Sequence, residues 1–302
     1  MDGIVNIYKE KGFTSHDVVA VVRKTLNIKK VGHTGTLDPD ATGVLPVCVG
    51  KATKLADYIM ASEKTYIAEL TLGLKTTTDD ITGEVLEEKE VDFDKEKITS
   101  AVMSFVGEQE QVPPMYSAIK VNGKKLYELA REGKEIERKA RKINIFSINI
   151  ISFDPPNKIV MEVNCSKGTY IRSLCADIGE KVGCGGCMSS LERTKSGSFT
   201  KEESITLDEL KSLVQNGQEE KVFMSMEKAI EKYKKIVVSL KAEKLLYNGA
   251  KIYEYFYKNE DNAAEGETVA VYDSKNNIAG LYKVVFDEEK QKMCVKPVTI
   301  LL

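Results

Sequence analysis

The sequence predicts an α+β protein: a mixed, largely antiparallel sheet core with flanking helices, followed by a small β-rich C-terminal segment. Three observations carry that prediction. Apolar and polar residues alternate over residues 66–74, 143–153 and 159–165, the period-two pattern of half-buried strands, and only Asp154-Pro155-Pro156-Asn157 separates the last two runs, so they read as a pair. Interleaved with these runs are stretches of helical period, such as Val18, Val19, Val22 and Leu26. Past residues 227–235 the composition shifts to short strand-like runs divided by turn residues such as Asn276-Asn277.

In chain order, residues 4–8 read as a short strand. Ser15 is placed as the N-cap of a helix over 16–26. The apolar run 44–49 reads as a buried strand, and 53–60 as a helix. Residues 66–74 form the next strand. A helix over 94–106 turns Ile98, Val102 and Phe105 to one side, and 125–131 is a short basic helix. The paired strands 143–153 and 159–165 follow, then a helix over 170–182 and a strand over 188–194 leading to Gly197. A helix over 208–214 begins after Thr206. In the last segment a helix over 240–247 stops at Asn248-Gly249, and strands are expected over 268–272, 278–285 and 292–297.

The 302 residues, 42% hydrophobic and 30% charged, have the composition of an ordinary globular protein, enough for a main domain with a small appendage. No apolar run approaches the roughly 20 residues that a membrane helix needs, and the opening MDGIVNIYKEKG lacks a signal-peptide pattern. Six scattered cysteines suit reduced thiols. The expectation is a cytoplasmic protein without a membrane partner. A net charge of −2 speaks against a nucleic-acid partner, but its distribution says more than its total. Residues 119–142 hold nine Lys/Arg against four Glu, whereas 79–96 is acidic. On charge alone the basic segment is either a solvated helix face or a local contact for phosphates.

The densest candidate for chemistry is Gly32-His33-Thr34-Gly35-Thr36-Leu37-Asp38-Pro39-Asp40-Ala41-Thr42-Gly43, just ahead of the apolar strand. Its glycines permit backbone angles and close approaches that other residues resist, and Pro39 fixes φ directly after Asp38. Asp38 is therefore either a turn-former or a carboxylate presented at the edge of a core. Other chemistries fit poorly. A phosphate-binding P-loop ending at Gly50-Lys51 would need a glycine where Leu45 stands and a hydroxyl where Ala52 stands. Cys184-Gly185-Gly186-Cys187 has ligand spacing for zinc, but Cys165 and Cys175 are too far apart to make a second tight pair, and no metal is expected. A Ser–His–Asp device would rest on His33 or His16, the two histidines; a local hydrogen bond is the simpler reading of the first and a structural role of the second.

Residues GHTGTLDPDATGVLPVCVGKATK closely resemble the signature of the TruB family, the bacterial tRNA pseudouridine-55 synthases. The likeness continues through Lys64-Thr65-Tyr66, QVPPMYSAIKVNGKK from Gln111 to Lys125, and CSKGTYIR from Cys165 to Arg172, in the same order over residues 3–200. The resemblance implies a sheet core of the pseudouridine synthase type over residues 1–230, with 119–142 as a mobile thumb over the RNA, and a PUA-like RNA-binding barrel over 231–302. It makes Asp38 the catalytic aspartate and Arg172 its partner. It puts Tyr66 on the target base, Tyr170 in the pocket wall, Leu191 under the base, and His33 at the displacement of the nucleotide from its stack. In the thumb, Lys124 and Lys125 are the expected phosphate contacts. Two departures stand out: Lys9-Glu10-Lys11-Gly12-Phe13-Thr14-Ser15 lacks the proline that the family carries after its lysine, which puts local packing under the site in question, and Cys187 stands where relatives often have a histidine.

The implied reaction breaks the N1–C1′ bond of uridine, turns the uracil and rejoins it through C5. It consumes nothing, so no cofactor is expected. It needs a carboxylate to act as nucleophile or base, a closed pocket, and a group to remove the C5 proton, for which Tyr66 is the candidate. The target is the T-arm loop of tRNA, taken by a chain expected to act as a monomer that flips the base out. Two alternatives are a non-catalytic tRNA-folding chaperone and a guide-RNA-dependent synthase.

Overall fold

The computed structural model describes residues 1–302 apart from 118, 122 and 135, and apart from the side chains of 120, 125 and 131. Its first sheet is built from β1 (Gly3–Lys9), β2 (Val31–His33), β3 (Thr42–Val49), β4 (Lys64–Leu72), then, past a hairpin of β5 (Leu74–Thr76) and β6 (Val85–Glu88), β7 (Gly107–Gln111). A second hairpin, β8 (Lys120–Val121) and β9 (Lys124–Lys125), precedes β10 (Arg141–Asp154), β11 (Lys158–Cys165), β12 (Gly186–Ser196) and β13 (Phe199–Thr200). The spatial order is β1-β3-β12-β4-β11-β10-β7, with β2 beside β3 and β13 beside β12. Pairing is antiparallel except where β12 meets β3, with Glu192 opposite Thr42 and Arg193 opposite Gly43. That parallel contact brings residues 150 apart in sequence to the same edge of the Asp38 loop.

Among the described residues, α1 (Ser15–Leu26), α2 (Ala56–Met60), α3 (Lys95–Met103), α5 (Ile171–Val182) and α6 (Leu207–Gln215) flank this sheet, and α4 (Leu126–Arg131) follows the β8–β9 hairpin. Leu70, Leu72, Ile98, Val102, Met161, Val163, Leu174 and Ile178 form one dry core between the sheet, α3 and α5. Each such side chain contributes about 1.5–3 kcal/mol on burial, so α5, which carries Arg172, is held rigidly.

Several helices differ from the expectation: that over 94–106 is shorter, Lys95–Met103, that over 240–247 opens as a 3₁₀ turn, Leu240–Ala242, and two others differ more. α1 is capped by Thr14, not Ser15: the Asp17 amide donates to Thr14 Oγ1 (3.1 Å) while Asp17 Oδ2 accepts from the Thr14 amide (2.9 Å). This reciprocal box satisfies two otherwise free amides, and it releases Ser15 for another task. The helix expected over 53–60 is instead a 3₁₀ turn, Gly50–Leu55, running into the short α2.

A second sheet gathers β14 (Lys235–Val238), β15 (Ile252–Tyr253), β16 (Tyr257–Lys258), β17 (Thr268–Tyr272), β18 (Ile278–Asp287) and β19 (Lys292–Ile300) in the order β15-β19-β18-β17-β14-β16, beside α7 (Glu243–Tyr247). A shared core joins the two sheets, with Ile4, Val44, Cys48, Leu55 and Ile59 against Tyr272, Ile278, Leu281 and Leu301. Polar contacts add to it: the Tyr58 hydroxyl meets Thr299 Oγ1 at 2.9 Å and Lys54 Nζ donates to the Ile300 carbonyl at 2.6 Å. The C-terminal sheet thus backs α2 and the segment leading into β4. No helix of the described residues is long and apolar enough to cross a membrane. The six cysteines are all unpaired.

Candidate active site

Asp38 lies in the loop between β2 and β3, and that loop is tied down at almost every residue. Thr34 bonds the Pro46 carbonyl through both its amide (3.1 Å) and its hydroxyl (2.9 Å). Ser15, freed from capping, accepts from the Leu37 amide (2.9 Å) and donates to the Leu37 carbonyl (3.2 Å). The Ala41 amide closes a turn onto the Asp38 carbonyl at 3.1 Å. Beneath the loop the fully buried Lys9 donates to the carbonyls of Phe13 (2.7 Å), Pro39 (3.1 Å) and Glu10 (3.2 Å). The lysine's reach across these carbonyls packs the loop where the proline of the family pattern is missing. Gly43 ends the loop at φ +109°, and a Cβ there would fall 2.2 Å from the Arg193 carbonyl oxygen, so only glycine allows β3 and β12 to meet.

Arg172 enters from the first turn of α5. Its Nε stands 3.2 Å from Asp38 Oδ2, its Nη1 3.2 Å from Asp80 Oδ2, and its Nη2 donates to the Tyr116 carbonyl at 2.8 Å. The guanidinium side chain is 7% exposed, whereas that of Asp38 is 44% exposed. A buried guanidinium thus holds a carboxylate that still reaches solvent. Burial raises the Asp38 carboxyl above its ordinary range; Arg172 pulls it back down, and Asp80 adds to the rise. The planar fork of an arginine, engaged on two carboxylates and a carbonyl, fixes the Asp38 oxygen as a lysine would not.

Tyr66 projects from β4, opposite Val163 on β11 and Arg193 on β12. Burial raises its hydroxyl, the Arg193 guanidinium lowers it, and the Asp38 charge also reaches it. Arg193 is itself buried, donating to the Val44 (2.7 Å) and Gly35 (3.3 Å) carbonyls, and so links the Asp38 loop to the tyrosine. Tyr170 directly precedes α5. Buried Gln111 holds it by donating to its carbonyl (3.0 Å) and accepting from its amide (2.8 Å), and burial raises its hydroxyl, with Asp38 again within electrostatic reach. Leu191 lies two residues before Arg193 on β12, half-buried against the core that includes Tyr66. His33 Nδ1 accepts from the Gly35 amide at 3.3 Å, and its ring meets the edge of His16 at 5.2 Å. Burial, His16 and Arg193 all lower its protonation. His16, expected to be structural, is exposed beside it.

The structure joins Asp38 directly to Arg172 and brings Tyr66 and Tyr170 within electrostatic reach of Asp38, while Leu191 lies on β12 two residues before Arg193 and His33 ends β2. Lys124 pairs with Glu132 at 3.1 Å, and the Lys125 side chain lies outside the described residues. Asp80, Arg193, Gln111, Ser15 and Lys9 were not singled out from sequence. Of these, Gln111 and Lys9 sit inside family-like motifs, while Asp80 and Arg193 gain their places through pairings such as Asp80 with Met188. Among the described residues no cluster of His, Cys, Asp or Glu could hold a metal ion.

A carboxylate clamped by arginine within electrostatic reach of a half-buried tyrosine, on a central mixed sheet backed by a β-rich unit, fits an enzyme of the pseudouridine synthase class. Residues 23–171 match the family described as TruB family pseudouridylate synthase (N terminal domain), and 172–232 match the tRNA pseudouridylate synthase B C-terminal domain; the chain belongs to the TruB family. It is 47% identical over 301 residues to a tRNA pseudouridine synthase B of Alkaliphilus oremlandii, covering 100% of this chain and 99% of the relative. A protein of the same description from Clostridium perfringens is 50% identical over 284 residues, covering 94% and 95%. Among solved structures, the chain matches one in a Cbf5-Nop10-Gar1 complex with a TM-score of 0.79 at 29% identity, over 99% of this chain and 85% of that one. A chain of an H/ACA RNP bound to a substrate RNA containing 2'-deoxyuridine matches with a TM-score of 0.77 at 27% identity, over 99% and 85%.

Proposed function

We propose that this enzyme converts the uridine at position 55, in the T-arm loop of tRNA, to pseudouridine, as a monomer in the cytoplasm. The observation that carries the reading is the 3.2 Å contact between Asp38 Oδ2 and Arg172 Nε, a buried guanidinium on a solvent-accessible carboxylate. The target uridine leaves its stack, at a cost of roughly a few kcal/mol, with His33 helping to displace it and Leu191 lying beneath the base. The ionised Asp38 then begins the reaction, either by attacking C1′ or by removing the C2′ proton; both routes need the free carboxylate that Arg172 orients. After the N1–C1′ bond breaks, Tyr66 and Tyr170 retain the uracil while it turns. As C5 bonds to C1′, Asp38 leaves C1′ or returns the proton to C2′; Tyr66 takes the C5 proton as it passes on its own hydroxyl proton, and N1 gains a proton, so the product is an isomer of the substrate. Residues 1–230 act as the catalytic domain, 119–142 as a thumb in which Lys124 and Lys125 meet phosphates, and 231–302 as a PUA-like RNA-binding domain.

The solved neighbours in ribonucleoprotein complexes raise a guide-RNA-dependent reading. Identity of 47–50% to proteins described as tRNA pseudouridine synthase B, against 27–29% to those neighbours, favours the first. Incubating the purified chain with unmodified tRNA and no other RNA or protein separates them. Formation of pseudouridine in the T-arm loop supports the proposal, and activity only after a guide RNA is added overturns it.

A further inference from the structure

The strand that carries Tyr66 begins with a buried cation. Lys64 is 6% exposed, and its Nζ donates to three main-chain carbonyls: Ile59 at 2.9 Å, Met60 at 2.9 Å and Ser62 at 2.6 Å. The first two belong to the last turn of α2, where a helix leaves carbonyls unpaired and presents the negative end of its dipole. Three donors on three carbonyls use the full capacity of an ammonium. The charged and titratable groups facing Lys64 are Arg193 from β12, Cys165 from β11, Lys232 and Lys167. Lys64 and Tyr66 are two residues apart on β4 and so share a face of the sheet, and Arg193 lies against both. α2, in turn, is fixed to the C-terminal sheet through the Tyr58–Thr299 bond.

We propose that Lys64 is a positioning residue for the reaction: its ammonium fastens the start of β4 to the end of α2 and thereby sets the height of the Tyr66 ring over Asp38. This rests on the reading of Tyr66 given above. A lysine that only closed a helix would answer differently to pH. Burial and the neighbouring cation Arg193 bring Lys64 down from its ordinary 10.5 to about 7. Above that pH the amine keeps two donors for three carbonyls, and the hold on β4 slackens. Unfolded chains retain the proton up to the ordinary value, so between these two pH values the unfolded state binds more protons and the contribution of Lys64 to stability rises with pH. Activity falls while the fold is kept.

The test is single-turnover pseudouridine formation at saturating tRNA from pH 6 to 9, beside thermal unfolding and the ¹³Cε shift of Lys64 in the full chain. The wild-type rate is expected to fall through an alkaline limb that tracks the Lys64 titration while Tm does not fall. Lys64→Arg, permanently charged, moves that limb upward. Lys64→Met lowers kcat by about 10- to 100-fold, the scale of a small misplacement, with KM little changed and the limb gone. The proposal is overturned by a limb that stays in place in Lys64→Arg, by a flat wild-type profile across the Lys64 titration, or by a folded Lys64→Met with wild-type kcat. A wild-type chain that forms no pseudouridine overturns the reaction itself, a separate failure.

Discussion

Replacing Arg172 tests the engine of the site, because one guanidinium serves two carboxylates. Arg172→Met removes the cation 3.2 Å from Asp38 and 3.2 Å from Asp80. Burial already raises the Asp38 carboxyl and Arg172 is the main group opposing that rise. An adjacent opposite charge lowers a carboxyl's titration point, and the solvent that reaches Asp38, which is 44% exposed, moderates the effect. The reaction uses the ionised acid, which exists above its titration point. Loss of the arginine therefore moves the acid limb of the rate profile to higher pH. Arg172→Lys keeps the charge and loses the fork. A charge-assisted hydrogen bond contributes about 1.5–3 kcal/mol, and about 1.4 kcal/mol is a factor of ten in rate, so kcat should drop about 10- to 150-fold even at pH values where Asp38 is fully ionised. Release of tritium from C5-labelled tRNA, followed from pH 4.5 to 8 in single turnovers, reads both effects. Folded Arg172→Met and Arg172→Lys proteins with the wild-type rate and an unmoved acid limb would refute the argument.

Further outcomes follow from the same geometry. Gly43→Ala sets a Cβ against the Arg193 backbone at φ +109°, so it should destabilise the chain by more than about 1 kcal/mol and slow the reaction by shifting Arg193 from Tyr66; a variant with wild-type Tm contradicts this. Lys124→Glu should weaken tRNA binding at low salt and reduce the salt dependence of binding by about one phosphate contact, leaving kcat at saturation unchanged. Equal affinity in 50 mM salt would count against the thumb as an RNA contact.

The elements legible in the sequence are those whose signal is local. β10 and β11 show their alternation and share a short turn, so both the strands and their pairing could be read, although bulges between Ile145 and Ser147 and between Ile150 and Ser152 break the phase. The cap of α1 was misplaced by one residue because Thr14 and Ser15 both suit the position, and only the return bond from Asp17 decides between them. The site is another matter. Asp38 and Arg172 are 134 residues apart, and no periodicity places them together; the likeness to a family did. Arg193 could not be found that way, since its role arises from a parallel register with Gly43 set by the whole sheet. Asp80 lay within an acidic stretch that reads as solvated. Lys9 and Lys64 look like surface lysines, and their burial follows from carbonyls that only the folded chain brings together. The signal for Lys64 was its place in the family-like Lys64-Thr65-Tyr66 motif, although the strand, expected from residue 66, begins at Lys64 itself.

The most direct test of the central claim is nucleotide-resolution mapping of pseudouridine in a tRNA transcript exposed to the purified chain, in parallel with Asp38→Asn. The substitution keeps size and shape and removes the negative charge facing Arg172. One pseudouridine in the T-arm loop with the wild-type chain, and none with a folded Asp38→Asn protein that still binds the tRNA, is the expected result. Modification by the Asp38→Asn protein at a comparable rate would contradict it.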